Sequence, residues 1–462
     1  MKRRSVLGLG VSLALLQTGC ATDPARLAWE TEFDGFMRDG LARTETPGMS
    51  VAVVRGEQTI FARGYGWADI QAGKKADANT VFHVASVSKL VTATAVMMLM
   101  EQGVFQLDDK VAAYLDFPLM HPKFPDVPIT FRHLLSHTSG ISDAVYEKTT
   151  AFAVQGDPRL PLRDFVKGYL SRGGAWYDAD VSFAARPGTE WRYSNVAIAL
   201  LGYLVGRLNP DGLDAYTHEH LFEPLGMDST AWNLAGLPRR AIVAQPYAHK
   251  EPGLQVLPPV GYPDWPAGLL RSSAHDFARF LAIFSNGGRV DGHRYLQDAT
   301  LQLFFAPQTA AVVPADSSVR QALVWLLRDV DGKALATHSG GDPGAASVVC
   351  VDRASKTAVL AFANVGADKE FRSFQKEVVL RLLAHGGSRR ACCQERLGAE
   401  PAAQFLGGAF LDVGRDIGGD RGNGRRQHGQ VIRITDHGRD VGNRINGGNE
   451  VAERAVNGRL GP

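Results

Sequence analysis

Cysteine is scarce in this chain, four among 462 residues, and their spacing makes no disulfide framework. Cys20 falls in the N-terminal segment, Cys350 in the strand-like "ASVVCVD" where a core place is expected, and Cys392 and Cys393 form an adjacent pair in the tail. An excess of one charge is lacking too. Lys plus Arg number 50 against 48 for Asp plus Glu, so no net field draws the chain to nucleic acid, and a small-molecule or peptide-like substrate fits better. No segment reads as a metal site: His218 and His220 in "THEHLF" begin an H-x-H-x-D pattern, but Phe222 stands where the Asp should be. Two histidines on a helix is the plain reading, and no cofactor is implied. The pentapeptide G-x-S-x-G is absent, which excludes the nucleophile elbow of the α/β-hydrolases.

What is present supports a globular protein, since 45% hydrophobic residues suffice for a sizeable core. The start "MKRRSVLGLGVSLALLQTGC" has basic Lys2, Arg3 and Arg4 and then an apolar run too brief to span a bilayer, the pattern of an export signal over residues 1–22. "LQTGC" resembles a bacterial lipobox that would make Cys20 a lipid anchor, although Gln17 fits poorly where the pattern wants Leu; Arg3 and Arg4 also suit twin-arginine export. A periplasmic or membrane-anchored bacterial protein is expected. At the other end, residues 411–462 contain no Lys, Ser, Phe, Tyr or Trp, while seven acidic residues interrupt nine arginines. A tail over 391–462 of this composition cannot bury enough to order itself, and it resembles out-of-frame translation more than a domain.

The domain expected between these ends covers residues 24–390. "GMSVAVVRG" and "QTIFARGYGWADI" alternate around a turn at Gly56 to Gln58 and read as a hairpin. The segments "QALVWLLRDVDGKALATHSG", "AASVVCVDRA" and "KTAVLAFANV" repeat that pattern before a helix from about Lys369 to His385. Between them "RDFVKGYLSRGG", "YSNVAIALLGYLVGRL" and "AHDFARFLAIFSNGG" carry apolar residues at helical spacing and stop at Gly or Asn. Strands at both ends with helices between predict an α+β fold: one antiparallel sheet flanked by helices, with an inserted helical subdomain across a cleft.

The stretch "HVASVSKLVTATAVMMLMEQG" holds the first chemical signal. From Val84 to Met100 its only charged side chain is Lys89, in a helix too apolar to face water. A buried ammonium is costly, and burial among Leu90, Val91 and Val96 pushes a lysine toward a proton-accepting role. If the helix begins at Ser86, that hydroxyl lies one turn from Lys89 on the same face, and the free amide of Ser86 favours developing negative charge. One segment thus supplies a nucleophile, a base and half of an oxyanion hole.

Two further segments extend the pattern. "WRYSNVAIALLGYL" places Tyr193, Ser194 and Asn195 at a helix start, and "ATHSGGDPGAASV" places His338, Ser339 and Gly340 at the end of a strand. In this order the three resemble the S-x-x-K, Y-x-N and K/H-x-G motifs of the penicillin-recognising serine hydrolases, the β-lactamase/transpeptidase-like group that includes class C β-lactamases, D-alanyl-D-alanine carboxypeptidases, D-aminopeptidases and β-lactamase-like esterases. "ITFRHLLSHTSGI", "LFEPLGMDST" and "AGLLRSSAHDFARFL" look like its connecting segments, and the resemblance runs from about Glu32 to His385. It implies that Ser86 attacks the substrate carbonyl to form an acyl-enzyme and that Lys89 and Tyr193 share the role of base. It further implies that Asn195, His338, Ser339 and Gly340 hold substrate, and that the amides of Ser86 and Gly341 form the oxyanion hole. His137 in "SHTSG" is read as a structural hydrogen-bonding residue.

His338 departs from the class C pattern, which has Lys there. A histidine of ordinary pKa about 6.5 would be a weak, titratable anchor for a substrate carboxylate, charging as the pH falls. The expected function is therefore an exported serine hydrolase acting on an ester or a peptide-like amide. The alternatives are a true class C-type β-lactamase and a penicillin-binding sensor with negligible turnover.

Overall fold

The computed structural model describes residues 24–148, 152–308, 319–330 and 332–388. The export signal, the lipid anchor at Cys20, Cys392 and Cys393, and the 391–462 tail lie outside the described residues.

Helix α1 (Pro24–Arg43) buries Phe33, Met37, Gly40 and Leu41, one stripe at helical spacing. Strands β1 (Gly48–Arg55) and β2 (Gln58–Asp69) follow as the expected hairpin, turning at Gly56, whose φ of +59° suits a residue without Cβ. After the two-residue β3 (Lys74–Lys75) the chain leaves the sheet, and it returns as β4 (Val319–Gln321), β5 (Leu326–Val330), β6 (Lys333–Asp342), β7 (Ala345–Asp352) and β8 (Thr357–Ala363). The spatial order is β4-β5-β6-β7-β8-β1-β2-β3, with every neighbour antiparallel. First and last strands thus meet at β1 and β8, where Val51 stands opposite Ala361.

The expected alternation of buried and solvent-facing residues does not hold at the centre of the sheet. In β7 and β8 every residue is buried, and in β1 every residue but Arg55. Both faces are covered. Val51, Val53, Val359 and Cys350 pack toward α1 and α6 (Lys369–Ser388), while Ala52, Val54, Leu360 and Phe362 pack toward the inserted helices. A strand covered on both sides reads as a continuous apolar run, each buried valine contributing about 1.5–3 kcal/mol.

The insertion carries α2 (Ser88–Glu101), α3 (Leu162–Leu170), α4 (Asn195–Leu208) and α5 (Ala274–Ser285). Helix α5 lies against β1 and β8, whereas α2 and α4 pack on each other and on a 3₁₀ turn at Trp265–Ala267. That approach is close at Gly202, where a Cβ would come within 2.5 Å of Pro266. A short antiparallel pair, Val81–His83 with Arg271–Ser273, then delivers residues 84–86 to β6 and β7 and residues 267–270 to the start of α2.

Candidate active site

Ser86 lies in a single 3₁₀ turn (Ala85–Val87), and the α-helix begins at Ser88 rather than at Ser86. Ala85, just before the nucleophile, has φ of +45°, a left-handed conformation that costs an L-residue about 1–2 kcal/mol. Four hydrogen bonds hold it. Val84 N–H donates to Leu270 O (3.0 Å), Ser347 Oγ to Val84 O (2.6 Å), Ser88 Oγ to Ala85 O (2.5 Å), and Leu270 N–H to Ser88 Oγ (3.0 Å). The turn presents a half-buried Ser86 directly above Lys89.

Lys89 is fully buried. Its Nζ donates to Ser86 Oγ at 3.0 Å and to Ala267 O at 2.6 Å, and it stands 4.8 Å from the centre of the Tyr193 ring. The expected nucleophile and both expected bases therefore meet in one place.

Tyr193 precedes α4, and Asn195 is its first residue. The N-terminus of that helix is satisfied by Ser194, whose Oγ accepts Ala197 N–H at 3.0 Å, and by a residue the sequence reading missed. Asp143 accepts Asn195 N–H (2.6 Å) and Val196 N–H (3.2 Å), and the Ser194 hydroxyl donates to it at 2.7 Å. Burial pushes the Asp143 carboxyl above its ordinary value, opposed by these donors and by Lys89. Asp264, also missed, accepts the Tyr146 hydroxyl at 2.8 Å; burial, aided by the charge of Asp143, raises it to about 6, against the pull of Tyr146 and Lys89.

Strand β6 closes the other side. A Cβ on Gly340 would lie 2.8 Å from Ser86 N and 2.7 Å from Val84 O, so only glycine lets the strand run this close to the nucleophile's amide. Ser339 and Gly340 are half-buried, and Gly341, opposite Ala346 in the register, is exposed. His338 differs from expectation. It is 3% exposed, its Nδ1–H donates to Ser339 O at 2.9 Å, and burial, reinforced by Lys89, lowers it to about 3. Such a shift favours the neutral imidazole at the pH where an ordinary histidine would charge. Burial, with Arg271, likewise lowers nearby His83 to about 4.

Other residues singled out in the sequence lie away from this centre. His218 and His220 belong to a helical segment, His220 packing 4.4 Å from the Tyr216 ring, and Cys350 is buried in β7 with its thiol pushed up to about 12 by burial. A groove of about 550 Å³ between α1 and β2, lined by Arg38, Tyr65, Trp67 and Lys75 among others, contains none of the site residues.

Known proteins resemble this chain to differing degrees. The chain is 30% identical over 260 residues to the esterase EstB of Burkholderia gladioli, a match covering 53% of this chain and 62% of that enzyme. It spans less than two thirds of the length of the curated relatives it matches. Among solved structures, the octameric penicillin-binding protein homologue from Pyrococcus abyssi superposes with a TM-score of 0.64 at 22% identity, covering 77% of each chain. The D-amino acid amidase from Ochrobactrum anthropi SV3 gives 0.62 at 22% identity, covering 78% of this chain and 99% of the other. At these identities the structural likeness is one of fold. The family model described as Beta-lactamase matches residues 33–384, the span that carries the sheet, the inserted helices and all three motifs, and this chain belongs to the β-lactamase family.

Proposed function

We propose that this chain is an exported serine hydrolase that cleaves an ester or a peptide-like amide through an acyl-enzyme on Ser86. The observation that carries the reading is the 3.0 Å hydrogen bond between Lys89 Nζ and Ser86 Oγ in a site where Lys89 is fully buried. Acylation begins as Ser86 Oγ attacks the carbonyl carbon and its proton passes to the Lys89–Tyr193 pair. The oxyanion is met by the amides of Ser86 and Gly341. The same pair returns the proton to the departing alcohol or amine. Water then attacks the ester of Ser86, giving one proton to the pair and releasing the free acid as Ser86 recovers its hydrogen. Asn195 and the backbone of residues 338–340 hold the acyl group. Export follows from the leader pattern, with Cys20 as the lipid anchor.

The neutrality of His338 favours acyl groups without a carboxylate, because β6 offers such a substrate no fixed positive charge at that position. This supports an ester or an uncharged amide substrate over a class C-type β-lactamase, while the complete set of Ser86, Lys89 and Tyr193 favours turnover over a penicillin-binding sensor. A panel of a short-chain p-nitrophenyl ester, a D-alanyl-D-alanine peptide and a chromogenic cephalosporin tests it. Steady turnover of the ester above that of the two carboxylate-bearing substrates, the peptide and the cephalosporin, is expected. Efficient cephalosporin turnover, or a single burst without turnover on all three, would overturn the reading.

A further inference from the structure

His137 is unused by the chemistry above, yet it is built around Tyr193. Its backbone is left-handed, with φ of +56°, and the residue is 1% exposed. The carbonyl of His137 accepts Arg192 N–H at 2.7 Å and its Nδ1 accepts Ser194 N–H at 3.2 Å, so one residue grips the backbone on both sides of Tyr193. The imidazole lies against the phenol ring, with centroids 4.5 Å apart and planes 33° apart.

Because Nδ1 accepts, the ring proton sits on Nε2. That Nε2 is buried and has no hydrogen-bond partner among the described residues. A donor buried without an acceptor is costly, and such groups are rare in native proteins. Burial, then Lys89 and His338, hold the imidazole well below its ordinary value, so it stays neutral and adds a donor without a second positive charge.

We propose that His137 is the positioning residue of Tyr193, fixing the phenol beside Lys89 and keeping its Nε2–H for the negative oxygen of the phenolate form. The inference rests on the hydrolase reading. The titratable groups around this pair are Lys89 from α2, His338 from β6 and Asp143 beside the start of α4, with Asp264 beyond them acting on Asp143 and Lys89.

The test is the rate of Ser86 labelling by a fluorophosphonate from about pH 5.5 to 9.5 in wild type and His137→Asn. Asparagine tolerates the left-handed backbone, and its side-chain oxygen can take the place of Nδ1, but it has nothing in the place of Nε2–H. Labelling near pH 7 should slow about tenfold, and the ascending limb of the profile should move up by about one pH unit, because the phenolate has lost a donor. A profile that superposes on wild type overturns the proposal. So does a slower variant with an unmoved limb, since a loosened scaffold lowers the rate without changing the phenol. If His137→Asn does not fold, wild type labelled with ¹⁵N-histidine decides: the His137 Nε2–H resonance should shift over the pH range of the ascending limb and stay still in Tyr193→Phe. A resonance that does not move in wild type overturns the proposal. Absence of any label on wild-type Ser86 would instead overturn the hydrolase reading, and the resonance would still decide the pairing of His137 with Tyr193.

Discussion

The carboxylate of Asp143 accepts the backbone amide of Asn195 at 2.6 Å, across 52 residues of sequence. This contact ties the segment after "SHTSG" to the helix that carries the second motif, and it gives the N-terminus of α4 a buried negative charge. Anions are favoured there, where amides lack partners within the helix. Asp143→Asn replaces one acceptor oxygen by an amide that faces N–H donors. The variant is expected to lose about 2 kcal/mol of stability in urea unfolding and to acylate more slowly, because Tyr193 and Asn195 share that backbone. Unchanged stability would mean that Asp143 does not hold the motif.

Lys89→Met and Tyr193→Phe should each lower the acylation rate by about 100-fold or more, the usual scale for loss of a general base. Stopped-flow release of p-nitrophenol from an ester reads this directly. A wild-type rate in either variant would place the base elsewhere.

Gly340→Ala probes the strand beside the nucleophile. The added methyl would sit 2.5 Å from Ser347 Oγ and 2.8 Å from Ser86 N, so β6 must retreat from the amide meant to meet the oxyanion. The expected result is a fall in kcat of about 100-fold, similar to the removal of an oxyanion donor, with thermal stability reduced far less than activity.

The pH dependence of stability should follow the buried histidines. His338, lowered to about 3 in the folded protein, refuses a proton that the unfolded chain binds below about pH 6.5. Its contribution is therefore complete above that pH and declines as the pH falls toward 3, by about 1.4 kcal/mol per unit. His137 acts in the same direction. Asp264 acts oppositely: raised to about 6 from 3.8, it favours the folded state below its unfolded value, a gain lost as the pH rises through about 6. The free energy of unfolding should fall between about pH 7 and 5, and His338→Gln should lessen that fall by about 2 kcal/mol in urea unfolding. Affinity for a carboxylate-bearing cephalosporin should not improve over the same range. An improvement on acidification would restore His338 as a titrating anchor.

The legible and illegible parts of this protein divide by range of contact. Ser86 and Lys89 were readable because three residues make nearly one helical turn, and the strands at both ends of the chain announced a sheet closed by its termini. Asp143, Asp264 and the carbonyl of Ala267 were not readable. The last reaches Lys89 across 178 residues, and no local period encodes such a contact. A single Asp in "SHTSGISDAV" and another in "PDWPAG" were the only marks they left. His338 was found by position, but the depth of its burial was not readable, because it depends on how β6 is covered. The left-handed Ala85 was not readable, because nothing in "HVASVSK" announces it.

The central claim is that Ser86 is the one nucleophile of an acyl-transfer site. Intact-mass spectrometry after treatment with a fluorophosphonate tests it most directly. The account predicts a single stoichiometric adduct on the wild-type protein, mapped to the peptide containing Ser86, and none on Ser86→Ala. A stoichiometric adduct that persists on Ser86→Ala, or one mapped to another residue in wild type, would contradict it.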